Sequence, residues 1–159
     1  MMHKTSLDLP LDTRKKSIEI LHMCFVDTLH LSLQAKQAHW NVKGMQFIPL
    51  HELFDKAYSV LGDYTDDIAE RITALGGTAR GTLKTVSHES TLKAYPEDIF
   101  KGEDHLKALA ANFSITCQVV RNSISPLEKI PDLGSADLLT EISRGLDHHL
   151  WLLEAHLQA

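Results

Sequence analysis

Apolar side chains recur every three or four positions through most of this chain, the period of helices that bury one face. The clearest run lies between Leu50 and Leu75. There Leu50, Phe54, Ala57, Leu61, Ile68, Ile72 and Leu75 fall on one meridian and predict a single long helix. Upstream, Ile18, Leu21, Phe25, Leu29 and Ser32 mark the inner face of another. It is expected to start near Asp12 or Thr13, with Asp12 as its N-cap after Pro10, and to run to about Trp40. Asn41 to Gly44 supplies the turn between the two. Downstream, Leu106, Leu109, Phe113, Cys117, Val120 and Ile124 predict a helix from Asp104 to Ser125, stopped by Pro126. Ser135 reads as the N-cap of the last helix, with Asp137 in its first turn and Leu139, Ile142, Leu146, His149, Leu153 and Leu157 along one face.

The stretch from Gly76 to Lys101 is too long for a tight turn between helices and suits a crossover along a bundle. A short helix is expected within it at residues 88–95. The fold class is therefore all-α, a four-helix bundle with one long crossover between the second and third helices. Residues 1–159 form one domain, with a short N-terminal extension at 1–11 and the crossover at 76–102.

Polar residues of the second helix carry the candidate chemistry. His51, Asp55, Asp66 and Glu70 lie within an arc of roughly 100°, away from the apolar stripe. They cannot all bind one metal within one chain, because Asp55 and Asp66 stand about 16 Å apart along the helix, whereas metal–ligand bonds are about 2 Å. Yet His51 and Glu70, and likewise Asp55 and Asp66, are placed symmetrically about a point between residues 60 and 61. An antiparallel copy related by a two-fold axis there brings His51 and Asp55 opposite the acids of its mate. Ser59 and Gly62 obey the same symmetry, and their small side chains let two backbones approach. His39, five turns beyond Leu21, points to the packed side of the first helix.

The pattern H-W-x-V-x-G-x5-L-H-x3-D from His39 to Asp55, followed by D-x-I-A-E-R-x3-L-G-G from Asp66 to Gly77, resembles the Dps family of mini-ferritins. The similarity runs from about Leu29 to Leu157 and includes L-K-A-Y-P at 92–96 and L-D-x2-L-W at 146–151. The resemblance implies a ferritin-like subunit, a hollow homo-dodecameric shell, and iron oxidation at two-fold interfaces. It places the iron ligands on His39, His51 and Asp55 of one chain and on Asp66 and Glu70 of its neighbour, and Trp40 beside the iron, where it can intercept oxidising equivalents. The implied reaction is oxidation of Fe(II), preferably by hydrogen peroxide, with ferric mineral stored inside the shell and DNA protected chemically. Two imidazoles and three carboxylates suit Fe, and equally admit Zn or Mn. Asp132, Asp137 and Glu141 offset the dipole of the last helix, and by resemblance they line three-fold pores through which iron enters. A di-iron site inside one bundle wants two Glu-x-x-His motifs, and only Glu19–His22 is present.

A net charge of −5 gives nucleic acid no global attraction. Before the first helix only Lys4 is basic, Arg14, Lys15 and Lys16 read as a solvated helix start, and Leu157-Gln158-Ala159 adds no basic tail. Direct DNA binding is not expected. The alternative functions are a DNA-compacting nucleoid protein and a cell-surface shell with little catalysis. No segment suits secretion or a membrane span, and Cys24 and Cys117 read as small buried hydrophobes in a reducing cytoplasm.

Overall fold

The computed structural model describes residues 2–158. Its helices are α1 (Leu11–Asn41), α2 (Phe47–Ala74), α3 (Leu83–Glu89), α4 (Gly102–Lys129) and α5 (Leu133–Ala155). Among the described residues no strand forms, only an isolated bridge between Lys43 and Lys101. α1 pairs with α2 and α4 with α5 through short connections, α1 packs on α4 to close the bundle, and residues 75–101 cross over between the pairs. The long helices form because each buries a stripe. All seven apolar positions expected on α2 are at most 1% exposed, and burial of each Leu, Ile or Phe among them is worth about 1.5–3 kcal/mol. α1 is buried on more than one face, since α2, α4 and α3 all touch it.

Four boundaries depart from the sequence reading. α1 begins at Leu11 with Pro10 in the N-cap position, and Asp12 sits in its first turn without capping. α2 begins at Phe47, so Pro49 falls in the first turn, where a missing N–H has no intrahelical partner to lose. Pro126 does not stop α4, which continues to Lys129 and buries Leu127 completely. That burial offsets much of the roughly 3 kcal/mol an interior proline costs. The N-cap of α5 is Asp132, which accepts from the Ser135 amide at 3.2 Å, while the Ser135 hydroxyl donates back to it at 2.7 Å.

The short crossover helix lies at Leu83–Glu89, capped by Thr82, and not at 88–95. Residues 90–95 form no helix because buried side chains of α1 and α4 take their backbone groups and Pro96 disfavours helix at Tyr95. The N-terminal segment is docked. His3 N donates to Gly76 O at 2.8 Å, and a Cβ on Gly76 (φ +88°) would lie 2.7 Å from His3 O. Both cysteines are free and buried, and burial pushes their thiols up, to about 11 for Cys24 and about 12 for Cys117.

A candidate metal site at the turn between α1 and α2

The last turn of α1 and the second turn of α2 face each other across a turn that needs Gly44 at φ +116°. This places the His39 and His51 rings in a stack, centroids 3.7 Å apart and 22° from parallel. Their hydrogen bonds are reciprocal. His39 Nδ1 donates to the His51 carbonyl at 2.8 Å, and His51 Nδ1 donates to the His39 carbonyl at 2.8 Å. A backbone carbonyl can only accept, so both Nδ1 atoms carry the proton and both Nε2 atoms keep a lone pair, the state in which imidazole binds a metal. Phe47 packs on the His51 ring at 4.9 Å.

Asp55 follows one turn after His51. The Lys36 ammonium donates to its Oδ1 at 2.5 Å and lies 4.7 Å over the Tyr58 ring. The hydrogen bond from Lys36 holds the Asp55 carboxyl below the ordinary carboxylate range. Asp55 Oδ1 is 3.9 Å from His39 Nδ1, a field contact only, since that proton is committed to His51. Asp66 and Glu70 are exposed farther along α2. Among the described residues no three His, Cys, Asp or Glu side chains of one chain converge on a metal position. The same face carries a groove of about 300 Å³ lined by Leu33, Tyr58, Gly62, Thr65 and Asp66, with Leu33 44% and Tyr58 37% exposed. Trp40 is 65% exposed and does not belong to the protomer core.

The acids at the start of α5 divide. Asp137 and Glu141 are exposed one turn apart. Asp132 is 1% exposed and points inward, paired with Arg71 Nη2 at 2.7 Å. Burial pushes its carboxyl up, but hydrogen bonds from Ser135 and Arg71 outweigh this and hold it below the ordinary range. A buried, paired carboxylate cannot line a pore, so of the three acids only Asp137 and Glu141 keep that reading. Lys36 and Arg71 escaped the sequence reading as contributors. Lys36 lies one turn before His39, and Arg71 follows Glu70 directly, but neither position reveals its partner across the bundle.

Residues 18–159 match the family described as Ferritin-like domain. The DNA protection during starvation protein of Agrobacterium fabrum is 46% identical over 156 residues, covering 98% of this chain and 96% of its own. DpsC from Streptomyces coelicolor superposes with a TM-score of 0.95 at 27% identity, over 100% of this chain and 93% of that one. A Mycobacterium smegmatis Dps structure gives 0.93 at 31% identity, over 100% and 96%. With fold, motif and overall sequence in agreement, the chain belongs to the Dps family of ferritin-like proteins.

Proposed function

We propose that this protein oxidises Fe(II) at sites shared by two copies of the chain, preferably with hydrogen peroxide, and stores the ferric product inside a hollow dodecamer, protecting DNA. The observation that carries the reading is the reciprocal lock of His39 and His51, which leaves two Nε2 lone pairs uncommitted, with the Asp55 carboxylate one turn beyond His51. That half-set is short of ligands, and Asp66 and Glu70 stand exposed on the same helix at positions symmetric to His51 and Asp55. A two-fold axis near residues 60 and 61 completes each half-set with Asp66 and Glu70 of the partner subunit. The groove beside Tyr58 and Gly62, with its exposed Leu33, supports a second copy on this face.

Iron is the substrate in this reading. Imidazole suits Fe(II), and the hard carboxylates favour the Fe(III) product; Zn(II) and Mn(II) suit the same donors and act as competitors. Two Fe(II) ions each give one electron, and hydrogen peroxide takes both with two protons to give two waters, so no hydroxyl radical is released. In stopped flow, Fe(II) oxidation should be faster with hydrogen peroxide than with oxygen at matched concentration. Equal or reversed rates would overturn the oxidant preference.

Asp137 and Glu141 fit the iron path. Replacing them together by Asn and Gln should slow iron uptake several-fold at unchanged fold and assembly, read by mineral growth after Fe(II) addition. Unchanged uptake would leave them only the helix dipole to offset.

Direct compaction of DNA is the weaker reading. Non-specific affinity comes from Lys and Arg contacts to phosphates, and the net charge is −5. Arg14, in the small basic cluster, is committed to the carbonyls of Leu9 and Leu75. The buried free cysteines fit a reducing cytoplasm as the place of action. Among the described residues no helix is long and apolar enough to cross a membrane.

A further inference from the structure

The strap at 90–95 is held to the bundle by a chain of hydrogen bonds whose direction can be worked out atom by atom. Lys93 presents both backbone groups to Asn112 of α4. Its N–H donates to Asn112 Oδ1 at 3.0 Å, and its carbonyl accepts from Asn112 Nδ2 at 3.0 Å. A backbone N–H and C=O cannot exchange roles, so the Asn112 amide has one allowed orientation. Its second N–H donates to Gln34 Oε1 at 2.6 Å, which turns Gln34 Nε2 toward the Lys93 carbonyl at 3.1 Å and His30 Nε2 at 3.1 Å. His30 Nε2 must therefore accept. The ring proton then sits on Nδ1 and is given to Ser90 Oγ at 2.7 Å, and Ser90 donates on to Asp27 Oδ1 at 2.9 Å. Asp27, 1% exposed, also takes the Thr91 amide at 2.8 Å and the Thr91 hydroxyl at 2.6 Å.

We propose that His30 is an acid-sensitive latch: its protonation releases residues 90–95 from α1 and α4. A proton on His30 Nε2 sets one N–H against another. Flipping Gln34 does not heal this, because it turns an N–H2 group toward Asn112 Nδ2 and an oxygen toward the Lys93 carbonyl. Gln34 and Asn112 are 3% and 2% exposed, so water cannot make up the loss locally. Protons reach the ring, because His30 lines an open groove with Gln37, Tyr95 and Glu97.

The charged and titratable groups around His30 pull in two directions. Asp27 on α1 favours the cation, the crossover brings Tyr95 and Glu97 to the same groove, and α4 contributes only neutral Asn112. Burial outweighs Asp27 and pushes His30 below its ordinary value. The sign follows: the neutral ring is favoured in the fold, so the latch is intact above about pH 6.5 and is lost as pH falls toward the lowered folded value.

Amide exchange on the assembled protein tests this. The Thr91 and Lys93 amides both bond to network side chains and report it directly. After correction for intrinsic rates, their protection should fall by up to about tenfold per pH unit from about pH 6.5 down to the lowered folded-state value and level off below it, while Leu31 in the core of α1 holds. In His30→Gln the same amides should show no such step. Protection that is flat with pH in the wild type, or a step that persists in His30→Gln, would overturn the latch. Should His30→Gln misfold, imidazole nitrogen shifts of wild-type His30 decide: the Nδ1–H tautomer is expected, and an Nε2–H tautomer at neutral pH contradicts the proposal.

Discussion

Arg71→Met should destabilise the protein by about 3–5 kcal/mol, the loss typical of leaving one member of a buried ion pair alone. Methionine keeps the apolar stem of Arg71 but removes both of its hydrogen bonds, Nη2 to Asp132 at 2.7 Å and Nε to Ser135 at 2.8 Å. Asp132, 1% exposed, is left with Ser135 as its donor. At fixed protein concentration the melting temperature should drop by roughly 6–20 °C. The pH dependence has a definite sign. The Asp132 carboxyl lies below its ordinary value in the folded chain, so the pair's stabilisation is present above the unfolded value and is lost as pH falls through the folded one. The gap between variant and wild type should therefore narrow in acid. Adding Asp132→Asn to Arg71→Met should restore much of the loss, because a neutral amide is cheaper to bury than a lone carboxylate. A single-variant effect under about 1 kcal/mol would mean that the pair is hydrated and contributes as little as a surface salt bridge. The pair also ties the last turn of α2 to the N-terminus of α5.

How much of this was legible in the sequence depended on whether period or partner decided the matter. The register of α2 was fully legible, because one long amphipathic helix buries a single stripe and each apolar residue reports its own side. Boundaries were less so, for reasons visible at each place. Pro126 carries a genuine helix-breaking tendency, but it acts against the burial of Leu127, which only the neighbouring helices reveal. Ser135 and Asp132 are both good caps by composition, and the choice between them rests on Arg71, 61 residues from Asp132. The strap at 90–95 was read as helix because its real partners, Asp27, Gln34 and Asn112, lie on helices distant in sequence. The candidate site divides the same way. His39, His51 and Asp55 are nominated by spacing and resemblance, whereas the carbonyl lock that sets both imidazole tautomers depends on how the two helices face across the Gly44 turn. The placement of Asp132 with Asp137 and Glu141 at a pore failed because charge and position cannot show that a carboxylate turns inward.

Sites shared between two copies are tested most directly by complementation. One variant lacks His39 and His51, and a second lacks Asp66 and Glu70. Alone, each should lose rapid Fe(II) oxidation, because every site in its own two-fold pair misses half the ligands. The two are then unfolded, mixed and reassembled, with mixed assembly verified by mass spectrometry. In a mixed pair one site combines both defects, while the other takes its histidines from the second variant and its acids from the first and is whole. Random pairing makes about half the pairs mixed, each with one whole site of two, so the oxidation rate should return to about a quarter of wild type if the interfaces are independent and isologous. Recovery near zero, with mixed pairs present, would contradict the shared site, since neither variant chain holds a full ligand set.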